Sequence, residues 1–142
     1  DLPTIDQFAL KEVLNLLDSA EVDIGTLVAP FKDFDEMQKA QYVKAECHFK
    51  SNNTKARANN FTRIANKEKI ENLYHHVGIY SYRREALEKF VKLKQTNREK
   101  EEKLEQLRAI ENNMHIEVSL INSPILGIDT QEDLDNIREI QK

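Results

Sequence analysis

The stretch Tyr74 to Arg83, YHHVGIYSYR, reads as a strand whose two faces carry different kinds of residue. Side chains on a strand alternate sides, so Val77 and Ile79 point into one layer while His76, Gly78, Tyr80 and Tyr82 point the other way. The first face is core. The second is polar and aromatic, and Gly78 leaves a gap through which a loop or ligand can approach the backbone. By pattern alone the stretch reads equally as a half-exposed strand with aromatic cross-strand packing. His75 and His76 are adjacent and face opposite ways, which argues against a zinc site built from that dipeptide.

Toward the start of the chain, Thr4 to Gln7 fits a capping box for a helix reaching about Ser19, with Phe8, Val13, Leu14 and Leu17 at helical spacing. Val22 to Pro30 (VDIGTLVAP) reads as an interior strand ended by the proline. Phe31 to Gln41 is expected to be loop with one helical turn. Tyr42 to Phe49 and Ala56 to Ile64 flank the polar turn Ser51 to Thr54 as a hairpin, and Asn66 to Asn72 reads as a charged connection.

Beyond Arg83, an amphipathic helix carries Ala86, Leu87, Phe90 and Val91 on one side. Thr96 and Glu99 form a capping box that opens a helix through Leu104, Leu107 and Ile110. The run Arg98 to Lys103 (REKEEK) reads as its solvated face, with Glu99 and Lys103 an i,i+4 pair. Met114 to Leu120 alternates as a strand, and Ser123 to Ile128 is a loop. Thr130 with Asp133 caps a last helix bearing Leu134, Ile137 and Ile140. The order αββββααβα predicts an α/β fold with three layers around a mixed sheet.

At 142 residues the chain suits one domain with a real core. With 32% charged residues and a mean hydropathy of −0.67, it has no apolar run long enough for a membrane helix and no signal-peptide pattern, so a cytoplasmic location without membrane attachment is expected. Lone Cys47 agrees with a reducing compartment and reads as a small half-buried side chain. The net charge of −4, with Lys and Arg scattered among Asp and Glu, excludes the basic stripe of a nucleic-acid binder. The opening DLPTID has the look of a chain cut inside a domain, so residues 1–142 are expected to form part of a larger single fold.

Chemistry has several candidate seats. Asp129 follows Gly127 in a loop and precedes the Thr130 cap, where α/β sheets gather ligands. A carboxylate there suits a hard cation, or equally a solvated residue assisting the helix dipole. Asp1 offers a second oxygen ligand. Arg63 ends a predicted strand, and Glu105, Gln106 and Arg108 lie on the polar side of a helix. The three glycines, Gly25, Gly78 and Gly127, form no cluster, so no glycine-rich loop is present to wrap a triphosphate.

Three strings in register, HVGIYSYR (His76 to Arg83), KLEQLR (Lys103 to Arg108) and GIDTQEDL (Gly127 to Leu134), closely resemble the 3-deoxy-manno-octulosonate (KDO) cytidylyltransferases, also called CMP-KDO synthetases. DLP at Asp1 to Pro3 is similar to the end of that family's QGDxP motif, and FTR at Phe61 to Arg63 resembles its FSR. The resemblance spans the whole chain but only the later part of the family's domain, the phosphate-binding segment that serves CTP being expected upstream of Asp1.

This resemblance implies a nucleotide-diphospho-sugar transferase-like (Rossmann-like) domain truncated at its N-terminus, contributing sugar binding and dimerisation, with a homodimer at full length. It implies that the enzyme activates KDO with CTP, giving CMP-KDO and pyrophosphate for lipopolysaccharide synthesis, with Mg²⁺ as cofactor. By matched position Asp1 and Asp129 are the catalytic metal ligands, brought together at one sheet edge. Arg63, His76, Tyr80, Glu105 and Gln106 line the sugar pocket, Arg63 suiting the KDO carboxylate. The chain departs from the family pattern at Thr62 in place of Ser, at Ile64-Ala65 after Arg63, at Asn97-Arg98 in place of Pro-Leu, and at Gln131 in place of Pro. A related activating enzyme for another acid sugar, and a binding or scaffold fragment without catalysis, are the alternative readings. The fragment alone is expected to be inactive with CTP and KDO.

Overall fold

A computed structural model describes residues 5–122 and 131–140. Strand β1 (Ile24–Ala29) is buried along its whole length, and Thr26 is its one polar side chain. It pairs antiparallel with β4 (Leu73–Tyr82) and parallel with β5 (Ile116–Leu120). The expected hairpin is present: β2 (Lys44–Cys47) and β3 (Lys55–Thr62) pair antiparallel around the polar turn. β2 also pairs with β4, and Lys55 to Arg57 of β3 pair with Ser119 to Glu117 of β5. The mixed sheet therefore closes on itself in the order β1-β4-β2-β3-β5. Non-local pairing of β3 with β5 leaves no mark in either strand's own sequence.

Helices pack with these strands in two separate core clusters. In the smaller, α1 (Gln7–Asn15) sets Ala9 and Val13 against Leu27, Ala29, Val77 and Ile121. In the larger, α3 (Arg84–Phe90) and α5 (Gln106–Glu111) bring Ala86, Phe90, Leu107 and Ala109 against Val28, Phe61, Ile116 and Val118. Fully burying the Val, Leu, Ile and Phe side chains among these contributes roughly 1.5–3 kcal/mol each. Between them, α2 (Phe34–Gln38) is the single helical turn anticipated in the 31–41 loop, capped by the Asp33 carboxylate. Lys67–Asn72 form a 3₁₀ turn, and α6 (Gln131–Ile140) is the last helix.

Several local expectations are corrected. The α1 cap is Asp6, whose carboxylate accepts from Ala9 N at 2.8 Å; Thr4 lies outside the described residues. The buried stripe of this segment is Ala9, Val13 and Leu16, whereas Phe8 and Leu14 are exposed. Likewise Ala86 and Phe90 are buried on α3 while Leu87 and Val91 face outward. The helix opened by Thr96 is two helices, α4 (Asn97–Glu102) and α5, because Lys103 takes a left-handed φ of 54°. Its capping box is formed as expected. Glu99 does not pair with Lys103; it is 4% exposed and meets Arg108 of α5 instead. The Thr130 cap and the Ser123 to Ile128 loop lie outside the described residues, and no helix among the described residues is long and apolar enough to cross a membrane.

Candidate active site

The face assignment of β4 holds, and a bulge explains how its side chains are aimed. Opposite β1, Thr26 pairs with Tyr80 but the next residue, Leu27, pairs with Val77, so Gly78 and Ile79 are looped out of the ladder. A bulge of this kind re-aims the flanking side chains. Thr26 Oγ1 lies 2.8 Å from the Ile79 carbonyl, 3.2 Å from that of Val77 and 3.0 Å from His76 Nε2. A hydroxyl has one hydrogen, and a carbonyl must receive it. His76 Nε2 therefore carries a proton and donates to Thr26, which leaves Nδ1 with its lone pair.

Val77 is 2% exposed on the opposite face, as expected, and Ile79 packs beside it. The aromatic face is not simply polar. Phe61, His76, Tyr80, Tyr82 and Phe90 form a run of ring contacts with centroids 5.1 to 6.2 Å apart, packed against the larger core cluster. Gly78 is exposed, and a Cβ added there meets nothing within 4 Å, so the anticipated open space exists. Burial pulls the His76 pKa down to about 3, with the neighbouring His75 adding to the effect, so the imidazole is neutral at physiological pH. Tyr80 is held well above the usual phenol range, first by burial and then by Tyr82 and Glu105. It keeps its proton and can donate it in a hydrogen bond.

Arg63 follows β3 two residues beyond Phe61, whose ring lies edge-on to His76. Its Nε donates to the Glu102 carbonyl at 3.1 Å and its Nη1 to that of Ala40 at 3.2 Å. The guanidinium is thus fixed beside the α4–α5 junction, where Glu105 precedes α5 and Gln106 begins it. Glu105 is exposed, acts electrostatically on Tyr80 and Tyr82, and lies 3.8 Å from Arg108. Gln106 is partly exposed. The structure accordingly places Arg63, His76, Tyr80, Glu105 and Gln106 around the β3 and β4 strands and the start of α5. Asp1 and Asp129 lie outside the described residues. Among those described, no group of three or more His, Cys, Asp or Glu side chains is arranged to hold a metal.

Pattern reading missed Thr26 and Lys44, and it left the partners of Arg108 unseen. Thr26 sits mid-strand with nothing in its spacing to mark it. Arg108, placed on the polar side of its helix, is 11% exposed, makes two hydrogen bonds to the Glu99 carboxylate, and lies 4.6 Å from the Phe90 ring centroid. Lys44 is fully buried; the one signal for it is a lysine inside the strand YVKAEC.

Residues 1–116 match the family model described as cytidylyltransferase. The chain belongs to the cytidylyltransferase family. Within that family it is 46% identical over 140 residues to the 3-deoxy-manno-octulosonate cytidylyltransferase of Bartonella bacilliformis, covering 99% of this chain and 57% of the relative. It is 44% identical over 138 residues to that of Brucella anthropi, covering 97% and 55%. A solved CMP:2-keto-3-deoxy-manno-octonic acid synthetase complexed with CTP superposes with a TM-score of 0.83 at 25% identity, over 99% of this chain and 58% of that one. This cytidylyltransferase chain thus spans a little over half the length of the relatives it matches, and its mixed α/β fold is theirs.

Proposed function

We propose that this chain is the acid-sugar-binding part of a KDO cytidylyltransferase, which joins the anomeric hydroxyl of KDO to the α-phosphorus of CTP and releases pyrophosphate. The observation that carries this reading is an Arg63 guanidinium held by two main-chain carbonyls, two residues beyond Phe61, whose ring meets a neutral His76 that in turn meets a protonated Tyr80. A planar cation with remaining N–H donors suits a sugar carboxylate. A neutral imidazole lone pair and a phenol O–H suit sugar hydroxyls. The similarity to enzymes named for KDO supports that acid as the substrate, and the neighbour complexed with CTP supports CTP as the nucleotide.

Within such a reaction these residues orient the sugar. Arg63 fixes the carboxylate end, while His76 and Tyr80, held by the Thr26 bulge and the aromatic run, set the ring so that one hydroxyl faces the nucleotide. Positioning of this kind is a large part of phosphoryl-transfer catalysis. Asp1 and Asp129 are the proposed holders of Mg²⁺, which when bound neutralises charge on the triphosphate. At full length the enzyme is proposed to be a cytoplasmic homodimer serving lipopolysaccharide synthesis.

The test is a hybrid in which this chain replaces the matched portion of the Bartonella bacilliformis relative. Pyrophosphate release that requires CTP, KDO and Mg²⁺ together is the expected result. A folded hybrid that binds CTP yet releases no pyrophosphate with KDO overturns the proposal, and release with another acid sugar in its place supports a related activating enzyme.

A further inference from the structure

Lys44 is an unusual residue for the middle of a sheet: its side chain is wholly buried, and its Nζ donates to the carbonyls of Lys39 at 2.7 Å, Tyr42 at 2.7 Å and Arg63 at 2.8 Å. An ammonium group has three N–H donors, and all three are used. Among the described residues no ion pair involves it, so its desolvation is offset by peptide dipoles alone. Burial, with the Arg63 charge adding to it, pulls its pKa down to about 8, and near neutral pH it still carries its proton.

The three carbonyls are not arbitrary. Arg63 is gripped through its main-chain oxygen by Lys44 and through its guanidinium by Ala40 O, and Ala40 lies inside the Lys39 to Tyr42 loop that Lys44 also holds. The contacts form a closed circuit from Lys44 to the loop, from the loop to the Arg63 side chain, and from the Arg63 main chain back to Lys44. In the ladder Lys44 lies opposite Thr62 of β3 and His75 of β4, the neighbours in sequence of Arg63 and His76. It is thus the crossing point between the two strands that deliver these residues.

We infer that Lys44 is a positioning residue, holding Arg63 by its main chain so that the guanidinium is presented in one orientation to an anionic sugar. The anion's identity rests on the proposed function; the control of Arg63 by Lys44 does not. A single lysine thereby serves substrate recognition without touching substrate.

Two readouts test this in the 142-residue chain. In ¹⁵N-correlated NMR spectra, the Nε–H groups of Arg63, Arg83 and Arg108 are each held by a fixed acceptor: Glu102 O, Val22 O and the Glu99 carboxylate. Lys44→Met is expected to abolish the protected Arg63 signal, assigned by its loss in Arg63→Ala, and to leave those of Arg83 and Arg108 in place. If Lys44→Met does not fold, Lys44→Gln is used, which keeps two donors for three carbonyls and should weaken protection at Arg63 alone. An unchanged Arg63 signal, or loss of all three signals together in a folded variant, overturns the inference. In titrations with KDO, Lys44→Gln should lower affinity about tenfold. It should lower it no further when Arg63 is already alanine, because the two act through one contact; additive losses overturn the inference. Absence of KDO binding in the wild type, with the NMR result as expected, removes the substrate reading and leaves the positioning role standing.

Discussion

Replacing Glu99 by Gln should destabilise the fold by about 2–3 kcal/mol at pH 7, an amount set by where Glu99 sits. Its carboxylate receives Nε and Nη2 of Arg108, with the two side chains 5% and 11% exposed, and also accepts from Thr96 N at the start of α4. Breaking a buried pair by removing one charge costs roughly 3–5 kcal/mol. The substituted amide would keep one acceptor for either Arg108 or Thr96, and Arg108 would keep its place over Phe90, so the lower part of that range or slightly below it applies. A loss of this size should lower the melting temperature by about 10 °C.

The pH dependence separates this pair from ordinary packing. The hydrogen bonds from Arg108 hold the folded Glu99 pKa below the usual glutamate value. A depressed folded pKa means that the pair's stabilisation is fully present above the unfolded value of about 4.3 and is lost as pH falls through the folded one. Urea unfolding of both proteins from pH 7 downward, followed by circular dichroism and tyrosine fluorescence since the chain has no Trp, measures the difference directly. The gap should be constant from pH 7 to about 5 and should narrow below about 4. A gap that stays the same into acid, or one below about 0.5 kcal/mol at pH 7 as for an exposed pair, refutes the reasoning.

Cys47, whose thiol burial pushes up to about 12, should resist a disulfide reagent at pH 8 in the folded chain and react fully once urea unfolds it; rapid native labelling contradicts its burial. Gly25→Ala should destabilise markedly, since its Cβ would collide with Ser81 Oγ and meet the Val13 carbonyl at 2.9 Å, whereas Gly78→Ala should be neutral or raise stability by up to about 1 kcal/mol. Thermal melts of the two variants settle the contrast, and equal effects would show the bulge to be misread. The 142-residue chain alone should release no pyrophosphate from CTP and KDO, and Mg²⁺-dependent turnover by it would contradict the division of labour proposed above.

Elements governed by local periodicity were legible in the residues themselves. The alternation of YHHVGIYSYR located β4 and separated His76 and Tyr80 from Val77, and the apolar run after Val22 located β1. The hairpin was legible because SNNT is turn chemistry between two β-capable arms. What escaped were decisions made through space. Lys103 adopts a left-handed conformation without being glycine, so the break between α4 and α5 had no composition signal. Glu99 lies in a charged run that reads as solvent-facing, and its partner Arg108 is nine residues away, beyond any i,i+4 rule. Phe8 and Leu14 share a helical period with the core yet face outward, while Ala9 and Val13 are the residues packed with Leu27 and Val77. At the candidate site, Arg63, His76, Tyr80, Glu105 and Gln106 were named from the resemblance rather than from any spacing in the residues. The bulge carbonyls bound by Thr26 and the loop carbonyls bound by Lys44 depend on tertiary placement and could not be read.

The central claim is that Arg63 binds an acid sugar. Calorimetric titration of the chain with KDO, for the wild type and for Arg63→Ala, measures this without requiring turnover. The expected result is saturable binding by the wild type and a loss of at least about tenfold in the variant, the scale of one charge-assisted hydrogen bond or more, with the β-sheet circular dichroism unchanged. Equal affinity in the two proteins would contradict the claim.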